Sequence, residues 1–176
     1  DGDAVRAAVD AAALALDGID ILVNNAGGNS FSTPMANMRF SGWQKTFSLN
    51  VESIVHACQA ASPHLQAANS ASVINVSSVA SLAGTPFMSH YGAAKAAVSS
   101  LTKSLAIEWA HAGVRVNALV PGWIETDLTD FLRVDDSTET SLLSRVPMQR
   151  WGMAHEIAEP AVFLASDASS FMTGQQ

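Results

Sequence analysis

Charge is scarce in this chain. Of its 176 residues, 9 are Lys or Arg and 16 are Asp or Glu, 14% in all, where a soluble domain usually has about a quarter. A sequence of this kind is mostly interior, and part of its surface is expected to be covered by another subunit. The balance is acidic, −7 at neutral pH, and Lys and Arg nowhere cluster, so no nucleic-acid partner is expected. Cysteine is nearly absent. Cys58 stands alone and can form no internal disulfide. Its neighbours Val55, Ala57, Ala60 and Ala61 make it a small buried residue in a reducing, cytoplasmic compartment. The five histidines, His56, His64, His90, His111 and His155, lack metal-ligand spacing, so no metal is expected. No apolar run approaches the ~18 residues of a membrane span, and no membrane partner is expected.

Two further scarcities are informative. Tyr91 is the only tyrosine, and Lys95 is one of three lysines, with Lys45 and Lys103. On a helix, positions i and i+4 share a face. A phenol titrates near ~10 and is a poor base at neutral pH unless a nearby cation stabilises its anion; Lys95 is placed to be that cation. Ser78 follows the apolar run Val73-Ile74-Asn75-Val76 and can fold its hydroxyl back toward the phenol. Taken alone, the three residues read equally well as a packing aromatic, a solvated charge and a turn serine.

The rest of the chain supplies the context. Apolar positions from Val5 to Leu16 recur at helical spacing, with Asp1 or Asp3 as N-cap and Gly18 just past the end. Ile19–Val23 reads as a buried strand ending in the turn Asn24-Asn25-Ala26-Gly27-Gly28. A long helical stripe runs from about Gly42 to Ala68 and is expected to kink at Pro63. Asn50 sits on that stripe among apolar neighbours, where an amide needs partners. A second strand, Ser72–Val76, leads through Ser77-Ser78 to a helix from about Tyr91 to Ala112 whose apolar face is wider than one sheet would use. A third strand, Val114–Val120, ends at Pro121-Gly122, and a last helix spans about His155 to Ser166. Residues 123–146 have weak periodicity and read as a mobile substrate flap.

Strands alternating with helices predict parallel βαβ units: an α/β, doubly wound, Rossmann-like three-layer domain over residues 1–176. In such sheets ligands bind at the carboxyl ends of the strands. The three turns lie on that one edge, and Tyr91 begins the helix reached from the second. This convergence favours the Ser-Tyr-Lys set as a site.

With these motifs the chain resembles the short-chain dehydrogenase/reductase family, over essentially its whole length. The resemblance rests on Asn24-Asn25-Ala26-Gly27 after a strand, Trp43 seven before Asn50, Ser78, Tyr91-x-x-x-Lys95, Pro121-Gly122-Trp123-Ile124-Glu125-Thr126 and Thr173-Gly174-Gln175. Within the family it is most similar to oxoacyl-carrier-protein-reductase-like and sugar or steroid dehydrogenase-like members. It implies an oxidoreductase moving a hydride between NAD or NADP and a ketone or secondary alcohol, in a homotetramer. Tyr91 would exchange the proton, Ser78 would hydrogen-bond the reacting oxygen, and Lys95 would depress the tyrosine pKa and hold the nicotinamide ribose. Asn50 would anchor a water linking Lys95 to solvent. Asn25, Ala26 and Gly27 would line the adenine-side ribose, and Pro121, Gly122, Ile124 and Thr126 would grip the carboxamide. The family's glycine-rich phosphate loop is not found in this sequence, so the domain is expected to be incomplete at both ends, with the NAD-versus-NADP determinant outside it. Two rival readings are a nucleotide-sugar epimerase or dehydratase of the extended branch, which shares Tyr-x-x-x-Lys, and a non-catalytic binding protein on the same fold.

Overall fold

Asp1 caps the first helix, its carboxylate accepting from Asp3 N at 3.1 Å. The computed structural model describes residues 1–176. Helix α1 spans Gly2–Leu16 and closes on Asp17 in the left-handed conformation (φ 59°). The expected terminator Gly18 comes one residue later (φ 130°). Strand β1 is Ile21–Asn24, later than the apolar run suggests. Pairing starts where Ile21 meets Ser72, while Ile19, ahead of the ladder, is buried in the core.

The long stripe is not one helix kinked at Pro63. Helix α2 (Phe40–Phe47) passes through a π-helical turn at Ser48–Glu52 into α3 (Ser53–Ala67), which carries Pro63 inside it. The break has a local cause. Asn50 Nδ2 takes the Thr46 carbonyl at 2.9 Å, the acceptor its own backbone N–H would use in a regular helix, and the ladder widens around it.

Strand β2 is Ala71–Val76, α4 is Ser89–Trp109 and β3 is Val114–Leu119. The three strands are parallel in the order β1-β2-β3, with Val73 opposite both Leu22 and Val116. Alternation gives β2 and β3 two buried faces. Val73, Val114 and Val116 pack with Ile54, Cys58, Ala61 and Leu65 of α3 and Val98, Leu105 and Ala106 of α4. On the opposite face lies α6 (Ala154–Ala165), whose Leu164 carbonyl accepts from Ser72 Oγ and from Arg115 Nη1, each at 2.8 Å. Helices thus flank both faces, as expected of a Rossmann-like fold.

Burying the 13 apolar side chains of this core, at ~25 cal/mol per Å², is the main stabilising term. Register is set by a polar chain: Asn24 Nδ2 donates to Asn75 Oδ1 (2.8 Å), and Asn75 Nδ2 donates to Thr102 Oγ1 (2.9 Å). A one-residue slip of β1 would strand two buried amides. Ile21 and Val23 of β1 are 50% and 49% exposed, an uncovered apolar strip unusual for a parallel sheet. No helix is long and apolar enough to cross a membrane.

The segment read as an irregular flap is helical. A 3₁₀ segment, Asp127–Leu132, precedes α5 (Asp136–Leu143). Asp135 caps α5, accepting from Thr138 N (2.8 Å) and Ser137 Oγ (2.7 Å), and these bonds draw its carboxyl down to about 2. The polar residues that blur the periodicity are caps and turn partners. Arg133 bridges Glu125 and Asp130, and Ile124 pairs with Gly152.

Candidate active site

Each strand stops where the chain turns over the same edge of the sheet. After β1, Asn25–Gly28 folds against Asn50, which is fully buried. Asn50 Oδ1 accepts from Gly28 N (3.0 Å), and Asn50 Nδ2 donates to Gly28 O (2.9 Å) as well as to Thr46 O. The side-chain amide is therefore spent on backbone and braces the turn. A Cβ on Gly27 would meet Asn50 Oδ1 at 2.8 Å and Lys95 Nζ at 3.0 Å, so only glycine leaves both groups in place.

Asn50→Ala is expected to lower unfolding free energy by about 2–4 kcal/mol, because it deletes three hydrogen bonds and leaves buried partners unpaired. Urea denaturation of the two proteins checks this, and equal midpoints would refute the bracing role.

After β2, Ser77 Oγ donates to the Lys95 carbonyl (3.0 Å) and shares a hydrogen bond with Ser99 Oγ (3.0 Å), fixing α4 to the strand end. Ser78 caps the 3₁₀ turn Val79–Ser81, its Oγ accepting from Ala80 N at 3.2 Å. Gly92, next to Tyr91, lets α4 close on that turn: a Cβ there would lie 2.5 Å from Thr85 Oγ1 and 3.2 Å from the Ala80 carbonyl. This contact sets the spacing between the Ser78 turn and Tyr91.

Lys95 is 3% exposed and donates to the Val76 carbonyl at 2.8 Å. Its ammonium lies 5.7 Å from the centroid of the Tyr91 ring. Burial pulls Lys95 down to about 8. Tyr91 moves the other way. Burial raises its phenol above the ordinary value of 10, whereas the resemblance implies a value depressed by Lys95. Ser78 Oγ stands near enough to favour the phenolate but outside the geometry of a formed hydrogen bond, so desolvation prevails. At neutral pH the site therefore holds a protonated phenol beside an ammonium, a proton donor ready for an oxygen that gains charge.

Two cavities meet at Tyr91. The first, about 400 Å³, is lined by Asn25, Gly27, Ser78, Tyr91, Lys95, Pro121, Gly122, Ile124 and Thr126, together with Gly28, Val76, Ser77, Leu128, Thr129, Ala154 and Ile157. It gathers nearly all the residues singled out in the sequence. Ala26 is exposed and lines neither cavity, and Asn50 stands behind the wall. A lone ammonium, a bare glycine turn and the hydroxyls of Ser78 and Thr126 on one cleft suit a ribose and a carboxamide, so the residues present fit a nicotinamide nucleotide's reactive half.

The second cavity, about 380 Å³, shares Ser78, Tyr91, Gly122, Leu128 and Thr129 with the first and continues along Val79, Ala83, Met88, Trp123, Phe131 and Leu132. Trp123, Phe131 and Leu132 fall in the flap expected from the sequence, while Val79, Ala83 and Met88 carry no site assignment there. Their signal was weak, since each lies in a turn or the flap where apolar residues show no period.

His90 was read in the sequence only as a cap or surface residue, and it is fully buried. It stacks on Phe31 (centroids 4.2 Å apart) and hydrogen-bonds Asn29 Oδ1 through Nε2 at 2.9 Å. Burial lowers its pKa, so the ring is neutral at pH 7 and ties the 29–31 loop to the start of α4.

All 176 residues match a family model described as Enoyl-(Acyl carrier protein) reductase. The 3-oxoacyl-[acyl-carrier-protein] reductase FabG of Chlamydia pneumoniae is 42% identical over 157 residues, 89% of this chain and 62% of that protein. The enzyme of the same name from Thermotoga maritima is 35% identical over 175 residues, 99% of this chain and 70% of its own length. A gluconate 5-dehydrogenase from Burkholderia cenocepacia, solved with NADP and tartrate, superposes with a TM-score of 0.94 at 36% identity, covering 99% of this chain and 68% of that one. The chain thus spans roughly two thirds of the length of the proteins it matches.

Proposed function

The chain belongs to the short-chain dehydrogenase/reductase family, and on that premise we propose that its site is the catalytic part of an NAD- or NADP-dependent oxidoreductase acting on a ketone or the matching secondary alcohol. The observation that carries this reading is the position of Tyr91 and Ser78 on the wall shared by the two cavities. One cavity takes the nucleotide, the other the substrate, and the phenol stands between them.

A bound nicotinamide supplies or accepts the hydride. Everything else falls to the chain. Lys95, Asn25, Gly27, Thr126 and the Pro121–Ile124 turn hold the nucleotide, and Ala26 carries the turn past it. Ser78 and Tyr91 orient the carbonyl oxygen, which fixes the carbon for attack. In reduction, Tyr91 Oη passes its proton to the oxygen as charge develops, while the Lys95 ammonium stabilises the phenolate left behind. In oxidation the proton returns by the same path. Alcohol oxidation needs the deprotonated phenol, which burial disfavours, so its rate should accelerate as pH rises.

The extended-branch epimerase reading gains nothing from the second cavity, which has no charged group for a nucleotide diphosphate. A non-catalytic role would leave the buried Lys95 and Tyr91 pair without a purpose. We further propose that residues 123–146 cover the substrate, that added strands cover Ile21 and Val23 in the full-length protein, and that it works in the cytoplasm as a homotetramer. Ile107, 81% exposed on α4, supports an interface there. The test is oxidation of NADH and NADPH by the full-length protein with a ketone panel; no turnover with any ketone would refute the assignment.

A further inference from the structure

The chemistry of the second cavity's wall narrows the substrate, given the oxidoreductase reading on which this inference rests. None of its sixteen lining residues is charged. The apolar groups come from four separate segments: Val79, Ala80 and Ala83 after β2, Met88 before α4, Trp123 after β3, and Leu128, Phe131 and Leu132 of the 3₁₀ segment. Trp123 is held in place edge-on to the buried Trp151, 6.2 Å between centroids.

The polar atoms of the wall are largely spent. Thr129 Oγ1 donates to the Ile124 carbonyl (2.7 Å) and the Thr126 carbonyl (2.9 Å) and accepts from Thr126 N (3.1 Å). Thr85 Oγ1 is engaged with the Met88 carbonyl (3.2 Å) and Asn29 Oδ1 with His90 (2.9 Å). The nearest guanidinium of the flap, Arg133, is held by Glu125 and Asp130. Apart from the reacting hydroxyls of Ser78 and Tyr91, the side-chain groups left open on this wall are the Asn29 amide nitrogen, the Ser32 hydroxyl and the Trp123 indole N–H.

We infer that the substrate is an uncharged, largely apolar ketone or secondary alcohol, whose one obligatory polar group is the oxygen facing Ser78 and Tyr91, rather than a polyhydroxy acid. A carboxylate entering this cavity would find no cation, and a chain of hydroxyls would find three open side-chain partners where it needs many. Polar groups buried without partners bind poorly. A cavity of about 380 Å³ holds a ring with a short substituent, or a short to medium acyl chain. The exposed Leu82, Phe87 and Phe131 extend apolar surface outside it.

The experiment uses the full-length protein with saturating nucleotide and compares kcat/KM for cyclohexanol and 1-phenylethanol with that for gluconate. Apolar cavities commonly separate such pairs by roughly 10²-fold, and at least that ratio in favour of the uncharged alcohols is expected. A gluconate value equal to or above theirs would overturn the inference. Binding is read separately, through the fluorescence of the uncharged probe N-phenyl-1-naphthylamine. Cyclohexanone should displace it and gluconate should not; displacement by both equally would also overturn the inference. Leu132→Asp and, at the more exposed rim, Phe131→Asp should each weaken probe binding tenfold or more while nucleotide titration is unchanged, and unchanged probe affinity in both would count against the cavity. Absence of hydride transfer from every alcohol would instead sink the oxidoreductase reading, while probe displacement would still report on the cavity.

Discussion

Replacing Tyr91 by phenylalanine in the full-length protein is expected to lower kcat by at least ~10²- to 10⁴-fold, the usual contribution of general acid catalysis. The change deletes one oxygen from a half-buried ring and leaves the ring's packing under Lys95 intact, so folding and nucleotide affinity should hardly move. The phenol is the one proton donor on the wall between the two cavities. His90, the nearest imidazole, is neutral, bonded to Asn29 and stacked on Phe31, and cannot replace it. Steady-state ketone reduction, paired with fluorescence titration of the nucleotide, separates the two effects. A mutant with near-normal kcat would return Tyr91 to a packing role. Ser78→Ala should fall between the wild type and this variant, since Ser78 orients the oxygen without supplying the proton.

Lys95→Met should abolish most activity and yet change stability in a way that depends on pH. An ammonium that is 3% exposed, with one carbonyl partner and no carboxylate, is costly to bury. Its fall from 10.5 to about 8 represents on the order of 3 kcal/mol. Because the folded-state value lies below the unfolded one, the unfolded chain binds the extra proton between about pH 8 and 10.5, and folding is favoured as pH rises through that window. The penalty is complete below about pH 8. Wild-type stability relative to Lys95→Met should therefore climb by on the order of 3 kcal/mol across the window. Taking the difference between proteins matters, because Cys58, raised by burial to about 11, pushes the absolute curve in the opposite direction above about pH 9 in both. Paired urea titrations at pH 7.5 and 10.5 measure the change; a constant gap would mean that Lys95 is not desolvated as the structure has it. Loss of the cation also removes the partner of the phenolate, so catalysis should suffer even where the fold gains. Stability is here given up at the position where charge is needed.

Several features of this protein were legible in the sequence because they depend on local pattern. Apolar runs of five or six residues ending in Asn-Asn, Ser-Ser and Pro-Gly announce buried parallel strands, and their order announces one shared edge. The i, i+4 relation of Tyr91 and Lys95 needs only a helix, and the helix is there. Other features depend on what meets across space. Whether Asn50 faced solvent, water or backbone was undetermined until the 25–28 turn was seen to fold onto it, and its capture of Thr46 O moved the expected kink from Pro63 to the π-helical turn. The direction of the Tyr91 shift could not be read from the spacing of a cation, since desolvation depends on the whole enclosure and here outweighs the opposing pull of Ser78. The apolar cavity is the clearest case. Val79, Met88, Trp123 and Leu132 come from four turns with no common period, and only the closing of α4 on Gly92 and of the flap over β3 makes them one wall. Local sequence encodes the elements and the Tyr91–Lys95 spacing, because these follow from neighbours along the chain; the pKa values and the shape of the second cavity follow from neighbours in space, which the tertiary structure alone brings together.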